Sequence, residues 1–264
     1  MRSERARIAA LATVLLALAA LGAGAEDLSP IRADVERALP AQALDPLFAS
    51  PQLTFRGVPS RGPAVYRERV NGVVLLASTK AVGTGVVVSA QGDIVTNEHV
   101  VRDAHRAQGG EWIAVWFKPA NGVRPAREQF LLARVIQRNE RRDLAHVRVA
   151  QAMPPQASVI PLASVMPDVG QEVFTIGHPK TLLWSFTQGV VSQIRPDYQW
   201  RYDDGVARSA TAIQTQAALD PGASGAPLLD HKGAVVGIVI GSAADAQDVY
   251  FAVSVQHVRE LLPP

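Results

Sequence analysis

The 264-residue chain contains no cysteine. Disulfide staples, thiolate metal sites and lipid attachment through a cysteine are therefore excluded, and the core alone must hold the fold. Charged residues make up only 19% of the chain, against 48% hydrophobic ones, which reads as globular rather than disordered. No dense Lys/Arg stripe with interleaved aromatics is present, so no nucleic-acid partner is expected. No phosphate-binding glycine loop is present either. Gly83-Thr84-Gly85 lacks the helix that a dinucleotide fingerprint needs. His99 and His105 miss the H-E-x-x-H spacing of zinc peptidases, so no metal and no cofactor are expected. His146, His178, His231 and His257 form no ligand cluster in the sequence and read as structural or surface groups.

Long apolar runs are also scarce. The conspicuous one, Ile8 to Leu21, is short of the roughly 20 residues that span a bilayer. It follows Arg2, Arg5 and Arg7 and precedes the small residues Ala23-Gly24-Ala25. That is the three-part layout of a secretory signal peptide over residues 1–25, with a mature start at Glu26. The formal net charge of +2 resides in this leader, with its three Arg and Glu4, and the remainder is neutral. Export is expected, to a periplasm or beyond, with no integral membrane segment after cleavage.

Residues 26–63 read as an N-terminal extension. Ser29 can cap a short helix whose Ile31, Val35 and Leu39 share a face, and a proline-rich connector follows. Such a segment is a candidate latch over a cleft. From about Val65 the pattern turns to short β-branched runs bounded by Gly, Asn and Ser. The break at Met153-Pro154-Pro155 divides these runs into two sets, about 64–153 and 156–253. Asp204-Gly205 reads as a two-residue hairpin turn. A last helix is expected over 255–262, begun at Ser254. The fold class is all-β, with two sets of about six strands as sandwich or barrels.

A serine hydroxyl becomes a competent nucleophile only beside a base, usually histidine, which an aspartate orients. Backbone amides must also face the developing oxyanion. Ser224 sits in the glycine-rich turn Asp220-Pro221-Gly222-Ala223-Ser224-Gly225-Ala226-Pro227, where the amides of Gly222 and Ser224 can form an oxyanion hole. His99 follows the strand Ile94-Val95-Thr96, and Asp143 heads a strand in Arg141-Arg142-Asp143-Leu144-Ala145. Each is weak alone, but the order His, Asp, Ser is that of chymotrypsin and not of subtilisin or the α/β-hydrolases.

Three segments resemble the trypsin-like peptidases, and most of all the HtrA (DegP/DegQ) protease domain. They are Gly83-Thr84-Gly85-Val86-Val87-Val88 with Val95-Thr96-Asn97-Glu98-His99-Val100-Val101, then Asp143-Leu144-Ala145, then Thr215 to Gly225. The resemblance implies two packed six-stranded antiparallel β-barrels. It implies a serine endopeptidase acting on protein or peptide substrates, with His99 as base, Asp143 orienting it and Ser224 attacking the scissile carbonyl. It also implies substrate pairing along Ile238-Val239-Ile240, and Ala218, six before the nucleophile, at the base of the primary pocket. An uncharged residue there implies apolar P1 side chains. Ala223 and Ala226 depart from the family's usual Asn and Gly. No PDZ domain follows the second barrel in this sequence, so PDZ-based peptide sensing is not expected.

Overall fold

The structure is a computed structural model that describes residues 27–40, 43–44, 61–120, 124–179, 182–217, 222–242 and 249–263. Residues 1–25, expected to be a leader, and Ala218 lie outside the described residues. Thirteen strands and four helices longer than a 3-10 turn make up the described fold.

The N-terminal half builds one barrel. Its strands are β1 (Val73–Ala77), β2 (Val82–Val87), β3 (Asp93–Thr96), β4 (His105–Ala107), β5 (Gly110–Trp116), β6 (Leu131–Asn139) and β7 (Leu144–Val149). The sheet order is β1-β2-β3-β7-β6-β5-β4, and β1 pairs with β5 as well as β2. That pairing closes six strands into a ring and leaves β4 as a hairpin partner of β5. Every residue of β1 is buried, as expected for a strand with protein on both faces.

The second half forms a closed antiparallel barrel in the order β10-β13-β12-β11-β8-β9. Its strands are β8 (Glu172–Gly177), β9 (Ser185–Trp200), β10 (Arg208–Thr215), β11 (Pro227–Leu229), β12 (Val235–Ser242) and β13 (Tyr250–Ser254). The two-barrel, all-β expectation therefore holds. One difference is β9, which sequence patterning reads as two strands, Gly189 to Ile194 and Tyr198 to Tyr202, with Pro196 between them. The chain passes through that proline by way of a bulge, where the register against β10 shifts between Ala210 and Ala212. A bulge is where a strand can hold a residue with no N–H to donate.

The helices differ from expectation in detail. In α1 (Ser29–Ala38), Ser29 lies inside the helix and makes no side-chain cap, and its N–H donates to the Asp27 carboxylate at 3.0 Å. Where the sequence suggests β structure from Val65, the chain forms α2 (Gly62–Arg69), with Pro63 in its first turn. A short helix, α3 (Glu98–Val101), follows β3. The last helix, α4 (Val255–Leu261), does begin as expected, with the Ser254 hydroxyl accepting from the Gln256 N–H. Asp204-Gly205 is not a tight two-residue hairpin but part of a longer connection between β9 and β10, in which the Gly205 N–H donates to the Tyr202 carbonyl.

Candidate active site

His99 and Asp143 come from the first barrel and Ser224 from the second, at the seam between them. His99 lies in α3, directly after β3, so the strand end places it. Asp143 sits in the turn between β6 and β7 with φ of 51°, a left-handed conformation that aspartate tolerates better than most side chains. Its N–H donates to the Glu140 carbonyl and its own carbonyl accepts from the Asn97 side chain. The turn is thus tied to the residue that precedes α3.

Asp143 is fully buried. Its Oδ1 accepts from the His99 backbone N–H at 3.0 Å, and its Oδ2 lies 2.8 Å from His99 Nδ1. A carboxylate can only accept, so Nδ1 carries the hydrogen and the lone pair sits on Nε2. The sequence did not point to a third donor. The Tyr202 hydroxyl, from the β9–β10 connection, lies 2.8 Å from the same Oδ2. The Tyr202 ring also stands edge-on to the His99 ring at 5.0 Å. Burial, then the charge of Asp143, pushes the Tyr202 phenol well above the ordinary tyrosine value, so it stays a donor.

Ser224 lies in the loop before β11, and that loop is clamped to the first barrel. Thr84 of β2 donates its N–H to the Ser224 carbonyl at 2.8 Å and its hydroxyl to the Gly222 carbonyl at 2.8 Å. The approach is close enough to require glycine twice. A Cβ on Gly225, at φ of 84°, would lie 2.0 Å from the Thr84 carbonyl oxygen. One on Gly83 would meet Val100 at 2.7 Å and the Ser224 carbonyl at 3.0 Å. Gly83 thus has the neighbour of His99 on one side and Ser224 on the other.

Among the described residues, the N–H groups of Gly222 and Ser224 meet no acceptor. Two amides on one tight loop, without an acceptor among the described residues, are what an oxyanion hole requires. The structure brings His99 and Asp143 into contact but makes no hydrogen bond between the Ser224 hydroxyl and His99.

A second set of residues backs the loop. The Thr84 hydroxyl, having given its hydrogen to Gly222, accepts from His178 Nδ1 at 3.0 Å. His178 is fully buried against Trp184, and burial holds it down to about 3, so it stays neutral. In the sequence His178 carries no signal beyond its place in Ile176-Gly177-His178-Pro179.

The expected substrate strand needs correction. Ile238 is paired on both sides, with Pro227 and with Val253. The Val239 N–H donates to Ala226 and its carbonyl accepts from Gly225. These two residues have no free edge for an added strand, because β12 lies between β11 and β13 at that point. Ile240 is different. It falls in the bulge between Val239 and Gly241, where the register against β13 shifts. Only from there on does β12 run past β11.

Residues 83–238 match the model of the trypsin-like peptidase domain. The chain belongs to the trypsin-like peptidase family. It is 35% identical over 161 residues to the magnetosome formation protease MamE of Paramagnetospirillum magneticum, covering 61% of this chain and 20% of that one. It is 30% identical over 180 residues to the putative serine protease HhoB of Synechocystis, covering 68% of this chain and 39% of that one. The chain therefore spans well under half the length of these relatives. Among solved structures, the serine endoprotease from Yersinia pestis superimposes with a TM-score of 0.59 at 26% identity, covering 77% of this chain and 66% of that one. The Rv3671c protease of Mycobacterium tuberculosis, at 23% identity and a TM-score of 0.61, shares the fold.

Proposed function

We propose that this trypsin-like peptidase is an exported serine endopeptidase that cleaves protein or peptide substrates through an acyl-enzyme. The observation that carries this reading is the buried Asp143 carboxylate bonded to His99 Nδ1, which leaves the Nε2 lone pair available. His99 takes the Ser224 proton as Ser224 Oγ bonds to the scissile carbonyl carbon. The amides of Gly222 and Ser224 receive the oxyanion. His99 then returns the proton to the departing amine, and the carbon–nitrogen bond breaks. Water, deprotonated by the same imidazole, attacks the ester and releases the acid with Ser224 restored. Catalytic hydrogen bonds are often long without substrate and tighten once it binds, which accounts for the open Ser224–His99 contact.

Substrate backbone adds along Ile240 to Ser242, where β12 leaves β11, and not at Ile238 or Val239. Ala218, uncharged and six residues before Ser224, supports small or medium apolar P1 side chains. Strongest cleavage of a peptide library after basic or acidic residues would refute that preference. The leader, the HtrA resemblance and the lack of disulfides support a periplasmic destination.

The open Ser224–His99 contact also favours a second reading, a latent or inactive protease fold that holds peptides without cutting them. A fluorophosphonate probe separates the two. The mature protein is expected to label, and Ser224→Ala to lose labelling and proteolysis with little change in melting temperature. A folded protein that never labels would establish the second reading.

A further inference from the structure

From these contacts we infer that Tyr202 is a positioning residue of the site, held in place by an ion-pair clamp between the two barrels. The inference rests on the protease reading for its effect on turnover but on geometry alone for its effect on the imidazole. The Tyr202 hydroxyl has two acceptors in reach, Asp143 Oδ2 at 2.8 Å and the Ile240 carbonyl at 3.1 Å. It has one hydrogen, and the charged carboxylate is the stronger acceptor. Tyr202 therefore gives Asp143 Oδ2 a second donor beside His99 Nδ1. That oxygen is pinned between two hydrogens, and the imidazole plane is fixed with it. The second acceptor, Ile240, lies at the start of the edge proposed for substrate.

The clamp explains why a residue on an otherwise exposed connection keeps this position. Arg208, at the start of β10, is fully buried and stacks its guanidinium 4.6 Å from the centre of the Tyr202 ring. The same guanidinium reaches Asp204 at 2.7 and 3.0 Å. Asp204 in turn accepts from Arg102 at 2.5 Å, and Arg102 holds Glu98 at 2.7 Å. Glu98 is the residue before His99. The series Glu98, Arg102, Asp204, Arg208, Tyr202, Asp143, His99 closes on itself across the seam. Hydrogen bonds from Arg208 lead the effects that hold Asp204 below the usual carboxylate range, so it stays charged in the clamp. The role cannot be read from the sequence, since Tyr202 and Asp143 are far apart in the chain and no motif joins them.

Tyr202→Phe keeps the ring against His99 and Arg208 and removes only the hydroxyl. With a peptide substrate, kcat is expected to fall about tenfold, the scale of one hydrogen bond to a charged group, while KM stays within about twofold. The proton resonance of His99 Nδ1 is expected to move in the folded variant, a signal that turnover does not affect. Arg102→Gln, which cuts the clamp but leaves the hydroxyl, is expected to lower kcat in the same direction and by less. Unchanged kcat and an unmoved Nδ1 resonance in folded Tyr202→Phe would overturn the inference. If the parent protein fails to label with the fluorophosphonate probe, the protease reading fails instead. The Nδ1 resonance then decides the positioning role by itself.

Discussion

At the scale of single residues, two histidines, one partly exposed and one fully buried, serve opposite ends of the site. His99 is oriented by a carboxylate, whereas His178 sits in an apolar pocket and gives its Nδ1 hydrogen to Thr84. The second arrangement has a thermodynamic consequence. Burial lowers His178 from its ordinary value of 6.5 to about 3. Between those limits the unfolded chain binds a proton that the folded chain does not, so stability rises with pH across the window. The contribution is complete above pH 6.5 and is lost as pH falls toward 3. Asp93 acts lower. Burial works against its charge, but hydrogen bonds from Arg148, Ser89 and His146 outweigh it and hold Asp93 at about 2. Its contribution is lost only as pH drops below its ordinary 3.8. Melting temperature is therefore expected to decline from pH 7 to pH 4 in the parent. In His178→Asn it should start lower and decline less. Parallel slopes for the two proteins would show that His178 does not carry the linkage.

At the scale of elements, what could be read from the sequence depended on whether a feature is local. The β-branched runs of β1, β2, β3, β5 and β12 announce strands because burial on both faces demands such side chains. The glycine-rich turn around Ser224 is also legible, since it is a local pattern, whereas the approach of Gly83 in β2 to that turn is not, because it joins distant parts of the chain. The limits of β9 are not legible either, because Pro196 is accommodated by a bulge in β9 itself, where Pro196 and Asp197 together oppose Thr211 of β10. The helix α2 was hidden by its proline, which suits a first helical turn as well as a connector. Pairing partners were beyond reach. Ile238 and Val239 look like an ideal apolar edge, yet β11 and β13 occupy both sides of them. Tyr202 is the same kind of case, a side chain whose role comes from a distant strand end.

At the scale of the whole molecule, the N-terminal extension raises the question of what it contributes. A latch that only covers a cleft should be removable, and its loss should raise activity. The described part of the extension is built differently. Ile31, Val35, Leu39 and Leu44 are buried in the same cluster as Trp112, Trp116 and Phe130 of the first barrel. Arg32 donates to the Phe130 carbonyl at 2.5 Å and lies 4.1 Å from the centre of its ring. An arm that supplies wholly buried side chains to a barrel without disulfides is part of that barrel's stability. Ile31→Ala removes a side chain with no exposed surface and is expected to cost roughly 2–5 kcal/mol, the range for emptying a packed aliphatic site. Urea unfolding measures this directly, as a lower midpoint at unchanged slope. Because α1 packs on β4 and β5, away from the Ser224 loop, the folded fraction of the variant should keep the parent's rate of probe labelling. A variant of undiminished stability that labels faster would instead make the extension a latch.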